Sequence, residues 1–238
     1  MYKRFCLLVC LLLGAGLASA APMACPTGTL EGYTTAVNAA GGCTEDGLLF
    51  SQFQYLSSAS GGAVALPATA VAIAPLVNTA GTGFGFQLAA GFAAGANSVS
   101  DSVLQYQVST LDNLPLLSSV SLGFNGTFTG SGIASVSENY CPGGTVVPPS
   151  AGCPAGLSNI FVQNSNGIIR LQTSATFAGV NSVTVSKDIQ VNGGSSGSAT
   201  ISSVTNQFQA VPESSPFLLL GSGLVGLALL RQRVFLRP

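Results

Sequence analysis

From Asp101 to Ser109 the chain reads DSVLQYQVS, with Leu104, Tyr106 and Val108 on one face and Gln105 and Gln107 on the other. A period of two is the signature of a strand buried on one side. Runs of the same kind recur: LLFSQFQYLSS near Leu48, ATAVAIAPLV near Val71, GFGFQLA near Phe84, LLSSVSLGFNGTFTG near Leu116, then NIFVQN, IIRLQT, ATFAGVNSVTVSKDIQV and SATISSVTNQFQAV. Clusters such as ASGGA, NSNG and NGGSSGS separate them, and these residues favour turns. About nine to eleven strands at this spacing predict an all-β body, an antiparallel β-sandwich of jelly-roll type spanning residues 21–210. Helical periodicity is confined to the two terminal segments. No fixed-period repeat is present, which disfavours a solenoid or propeller.

The first terminal segment reads as an export signal over residues 1–20. Lys3 and Arg4 precede an apolar run from Phe5 to Leu17, and Ala18, Ser19 and Ala20 supply the small residues of a cleavage site, placing the mature start at Ala21. Charge sharpens the division. Of seven basic residues only Arg170 and Lys187 lie between residues 21 and 212, against seven of the eight acids. A body with so few cations has no basic patch for phosphate, so no nucleic-acid partner is expected.

Export changes what the cysteines mean. Cys6 and Cys10 leave with the signal, and Cys25, Cys43, Cys141 and Cys153 remain for an oxidising compartment. Three connectivities are possible. The local one, Cys25 to Cys43 and Cys141 to Cys153, is favoured because each pair brackets a Gly- or Pro-rich loop. The longest excursion of the body is the loop from Cys141 to Leu157, which includes CPGGTVVPPSAGC.

Histidine is absent, which removes Ser-His-Asp and Cys-His catalysis and His-ligated metals. Carboxylates are then the only general acid/base option, with Glu45–Asp46 the most conspicuous pair. Asp101, Asp112 and Asp188 have the hardness that calcium prefers, but no ligand loop of defined spacing surrounds them. Neither a metal nor a cofactor is expected, and the body reads as non-enzymatic. Phe84, Phe86, Phe124 and Phe128 alternate with small residues, as core side chains do. Asn125-Gly126-Thr127 reads as a hairpin turn, since Asn-Gly is the strongest two-residue turn signal. Only Thr127-Phe128-Thr129 and Val183-Thr184-Val185 suggest a flat hydroxyl array.

The last segment, residues 211–238, holds VPESSPFLLLGSGLVGLALLRQR. Residues 217–230 form an apolar stretch of about 21 Å as a helix, against roughly 30 Å of hydrocarbon. It follows a Ser/Pro break and stops at Arg231 and Arg233, flanks that hold the tail inside and the body outside. This order resembles the PEP-CTERM protein-sorting domain, also catalogued as the ice-binding protein C-terminal domain. Val211, Pro212 and Glu213 match the start of its motif, Arg231 and Arg233 its arginine cluster, and Ser214 stands where the pattern has its second proline. The resemblance implies a short transmembrane helix over residues 217–230, anchored in the inner membrane. An exosortase-type membrane enzyme would cut near the motif and pass the body to the cell surface or an extracellular polysaccharide matrix. The expectation is therefore an exported protein with a structural or adhesive role. The alternative is a secreted carbohydrate-binding or carboxylate-dependent carbohydrate-active protein, which as an enzyme would place two acids about 5 to 9.5 Å apart across one cleft.

Overall fold

The computed structural model describes residues 22–76, 83–111, 116–144, 153 and 156–211. The export signal with Ala18, Ala20 and Ala21, the acid Asp112, and the tail with Pro212, Glu213, Arg231 and Arg233 lie outside the described residues. Val211 is the last residue of the last strand. Among the described residues no helix is long and apolar enough to cross a membrane.

Fourteen strands are present among the described residues: β1 (Met23–Ala24), β2 (Gly28–Thr29), β3 (Cys43–Glu45), β4 (Leu48–Ser60), β5 (Ala72–Leu76), β6 (Phe84–Ala94), β7 (Val99–Thr110), β8 (Leu116–Thr129), β9 (Ile133–Pro142), β10 (Ser158–Ser165), β11 (Ile168–Arg170), β12 (Gln172–Val180), β13 (Ser182–Asn192) and β14 (Ser198–Val211). They form two sheets, an eight-stranded one in the order β1-β3-β4-β7-β13-β9-β10-β11 and a six-stranded one in the order β12-β8-β14-β6-β5-β2. Every pairing is antiparallel except β1 with β3. The body is thus a β-sandwich. Four pairs nest one inside the next, β6 with β14, β7 with β13, β8 with β12 and β9 with β10, which is the connectivity of a jelly roll.

The innermost pair brackets the long loop, and Cys141 is bonded to Cys153 within it. Closing a loop of this size contributes about 3 kcal/mol on the chain-entropy account. The second disulfide, Cys25 to Cys43, ties β1 to β3 around a short helix.

Between the sheets, the alternation in the sequence becomes a core. Leu104, Tyr106 and Val108 of β7 and Val185, Ile189 and Val191 of β13 are buried, as are Phe86 and Leu88 of β6, Val120 and Leu122 of β8, and Val204 and Phe208 of β14. Aromatic rings bridge the layers. Phe50 of the eight-stranded sheet meets Phe86 of the six-stranded one edge-on with centroids 4.5 Å apart, and within the eight-stranded sheet Phe53 stacks on Tyr106 at 5.3 Å. Such pairs add about 0.5–1.5 kcal/mol beyond the burial of their area.

Two expectations need correction. Asn125 and Gly126 form no hairpin turn but lie within β8, opposite a bulge of β14 between Ile201 and Ser203. Gly126 is buried, and a Cβ there would collide with the Phe124 ring, so the glycine serves close packing. Helix is not confined to the termini: Leu30–Gly32 is α-helical and Tyr33–Val37 continues it as a π-helix. Leu30, Tyr33 and Val37 are its buried residues, and Thr29 caps it by accepting from the Gly32 amide at 3.4 Å. The run Val183-Thr184-Val185 is buried at all three positions and presents no hydroxyl array.

β9 was not among the expected strands, because two of the four residues on its buried face, Ala134, Val136, Glu138 and Tyr140, are a small residue and a charged one. Glu138 faces Lys187 of β13 in the cross-strand register, and the two form an ion pair at 0 % and 1 % exposure. The Asn206 amide donates to Glu138 Oε1 at 3.1 Å and to the Ser121 carbonyl at 2.9 Å, and the Tyr106 hydroxyl donates to Asn206 Oδ1. Burial pushes the Lys187 ammonium below the ordinary lysine range against the opposing pull of Glu138. Burial, reinforced by the charge of Glu138, holds the Tyr106 hydroxyl well above its ordinary value. This polar chain links β7, β9, β13 and β14 across the sandwich.

Candidate functional site

The outer face of the eight-stranded sheet carries three rows of side chains across five strands. One row is Gln54, Gln105, Ser186, Asn139 and Asn159. The next is Leu56, Val103, Asp188, Ser137 and Phe161, and the third is Ser58, Asp101, Gln190, Ser135 and Gln163. Antiparallel register creates these rows, because residues directly opposite one another project to the same side about 4.5–5.5 Å apart.

At the β4 end the face opens into a depression of about 520 Å³ lined by Asn38, Gly41, Ser51, Gln52, Phe53 and Gln54. A bulge makes it. Ser51 pairs with Gln107 and Gln54 with Gln105, so Gln52 and Phe53 together oppose one residue of β7. Gln52 has φ +59°, a left-handed conformation unusual for a side chain of this size. The turn it introduces lets Phe50 and Phe53 both enter the core while Gln52 stays exposed and donates to Gln107 Oε1 at 3.0 Å. Asn38 fixes the bulge like a strand partner: its Nδ2 donates to the Phe53 carbonyl at 2.7 Å and its Oδ1 accepts from the Phe53 amide at 2.9 Å.

In the amide row, Asn159 Nδ2 donates to Asn139 Oδ1 and to Ser137 Oγ, both at 2.9 Å. At the β10 edge Phe161 is 41 % exposed. The Arg170 guanidinium lies 5.0 Å from its ring centroid and donates to Thr173 Oγ1 at 2.9 Å. Arg170 is the one exposed cation among the described residues.

The acids singled out from the sequence have different fates. Asp101 and Asp188 sit diagonally on β7 and β13 and hydrogen-bond carboxyl to carboxyl. Partial burial first, then the hydrogen bond and the charge of Asp101, raises Asp188 to about 6. The Oδ1 atoms of both are buried without a donor, so an ionised pair lacks the hydrogen bonds that would stabilise it. Glu45 and Asp46 instead end β3 in a tight hairpin, where Asp46 at φ +43° and Gly47 at φ +84° supply the left-handed pair of the turn. Partial burial and the charge of Asp46 raise Glu45. Among the described residues no three Asp, Glu, Cys or His side chains gather to hold a metal.

The face therefore offers amide and hydroxyl donors and acceptors in a plane, three apolar contacts at Leu56, Val103 and Phe161, and one hydrogen-bonded acid pair. The outward Gln105 and Gln107 were legible from the sequence. Their partners Gln54, Ser186, Asn139 and Asn159 were not, since register alone brings them into line.

No family model matches the chain, and no curated protein matches it. Among solved structures, it is similar to the carbohydrate-binding module TmCBM61 in complex with beta-1,4-galactotriose, at 12 % identity over 67 % of this chain and 88 % of that one, with a TM-score of 0.31. The enzymatically active domain of tailspike protein 4 of Bacteriophage CBA120 matches at 12 % identity over 66 % and 19 %, with a TM-score of 0.29. The family 11 carbohydrate-binding module of Clostridium thermocellum, in complex with a beta-1,3-1,4-mixed-linked tetrasaccharide, matches at 10 % identity over 67 % and 91 %, with a TM-score of 0.24. All three scores are too low to mark a shared fold.

Proposed function

We propose that this is an exported surface or matrix protein that holds neutral polysaccharide, without catalysis, on the outer face of its eight-stranded sheet. The observation that carries the reading is the row Gln54–Gln105–Ser186–Asn139–Asn159, a band of uncharged donors and acceptors flanked by Leu56, Val103 and Phe161. Sugars present the same two surfaces, hydroxyls around the ring edge and C–H groups on the ring face. Two disulfides suit the oxidising compartment that export implies. Delivery rests on the tail: an exosortase-type enzyme cuts near Val211, Pro212 and Glu213 after the helix of residues 217–230, flanked by Arg231 and Arg233, has stopped in the inner membrane. Asp101 and Asp188 in direct hydrogen-bonding contact fit a binding face better than an acid and a base held apart for glycoside hydrolysis.

The test is isothermal titration of the exported protein with dextran, galactan and xylan, with anionic alginate as contrast. At least one neutral polymer should bind, and Gln105→Ala and Asn139→Ala should each weaken it by about 2- to 10-fold, the equivalent of a hydrogen bond. Heat signals equal to buffer for all three neutral polymers would sink the reading. Intact mass of the same preparation checks delivery, with a species running from Ala21 to about Pro212 expected.

A further inference from the structure

The six-stranded sheet also has an outer face, and it is not flat. Along β8 the outward residues Ser119, Ser121 and Gly123 are short, while all but one of their partners on the two flanking strands are longer. Ser119 lies between Thr176 and Gln209, Ser121 between Ser174 and Gln207, and Gly123 between Gln172 and Thr205. The result is a trough of about 370 Å³ running along β8, with no charged side chain in its lining. Gly123 continues β8 beyond the lining residues, opposite Gln172. A Cβ there would meet nothing nearer than the Leu171 carbonyl at 3.7 Å, with Gln172 and Thr205 at 4.0 Å on either side. The position has an ordinary backbone, so the missing side chain leaves open space without relieving strain.

We infer that this trough is a second binding site for a neutral polyhydroxylated chain, and that the protein is a bivalent cross-linker of polysaccharide. The inference rests on the binding reading of the first face. The lining fits the occupant: hydroxyls and amides both donate and accept, as sugar hydroxyls do, and the absence of charge excludes any gain from an ionic partner. Its volume falls within the range of formed ligand sites. The two faces look in opposite directions across sheets about 10 Å apart, so one chain cannot occupy both without turning round the sandwich. Two chains can.

The experiment uses the exported protein with whichever of dextran, galactan and xylan binds it, reading bound segments per protein by titration and particle growth by light scattering. Ser121→Leu replaces a hydroxyl in the middle of the trough lining by a bulky apolar side chain, and unchanged thermal unfolding confirms that the fold is intact. Wild type should bind two segments and drive particle growth. Ser121→Leu should bind one and drive none, and Gln105→Ala with Asn139→Ala should also bind one, by the trough alone. Two segments with undiminished growth in Ser121→Leu, or one segment in wild type, would overturn the second site while leaving the first standing. Binding of none of the polymers by wild type would remove both.

Discussion

Lys187 and Asp188 are adjacent on β13, and the pleat sends them to opposite sides of one sheet. Lys187 enters the core and lies opposite Glu138 of β9, while Asp188 emerges on the outer face and meets Asp101 of β7. Each has a carboxylate for a neighbour. Inside, the partner has the opposite sign, and Asn206 and Tyr106 complete the hydrogen bonding. Outside, the partner has the same sign, and burial with the hydrogen bond and charge of Asp101 raises Asp188 to about 6. The comparison teaches that desolvation alone does not decide what a buried or half-buried charge does. The sign of the cross-strand neighbour decides whether the group stays ionised, and the register decides the neighbour.

The largest effect should come from breaking the inner pair on one side. Lys187→Met leaves the Glu138 carboxylate buried without its counter-ion, and stability should fall by about 3–5 kcal/mol in urea unfolding. A loss under about 1 kcal/mol would mean that the inner ion pair adds little net stability and that the sign of the cross-strand neighbour is not what decides the outcome. Removing both charges should be much milder. In Lys187→Met with Glu138→Leu the desolvation of two ions disappears, and the Asn206 amide keeps its bond to the Ser121 carbonyl, so most of the single-mutant loss should return. A double variant as unstable as Lys187→Met alone would show that the hydrogen-bonded chain, rather than the ion pair, carries the stability.

The outer pair should show itself as a slope with pH. Because folding raises Asp188 from 3.8 to about 6, the stability tied to its protonated form is complete below the unfolded value and is lost as pH rises through about 6. Urea midpoints between about pH 4 and pH 8 should therefore fall across that window, and Asp188→Asn should flatten the profile and exceed wild type above it. A slope that survives in Asp188→Asn would assign the titration elsewhere. The same deprotonation gives the outer face a negative charge, so anionic alginate should bind more weakly above pH 6 than neutral polymer does.

How much of this was readable in advance depends on the element. β4, β7, β8, β13 and β14 announce themselves by alternation, because a strand with one buried face must place an apolar residue at every second position. The local disulfides were legible for a similar reason, since each pair spans a short loop. β9 was hidden, because Ala134 and Glu138 stand where the pattern expects bulk. Yet both charges of the inner pair lie on the apolar phase of their strands: Glu138 follows Val136 by two, and Lys187 stands midway between Val185 and Ile189. That is the one signal that could have found them. Asn125-Gly126 misled because a dipeptide carries turn preference only where the chain is free to turn, and the bulge of β14 opposite gave β8 a reason to continue.

The sequence by itself determined that the body is a β-sandwich, which face of its clearly alternating strands is buried, and that a short-range pairing of cysteines is favoured, because these follow from local alternation and loop length. Only the tertiary structure decided which strands become neighbours and in what register. That choice set Lys187 against Glu138 and Asp188 against Asp101, drew five amide and hydroxyl side chains from five strands into one row, and left a trough over Ser119 and Ser121. These partners lie tens of residues apart in the chain, so no local pattern specifies them. The packing of two sheets around one core does.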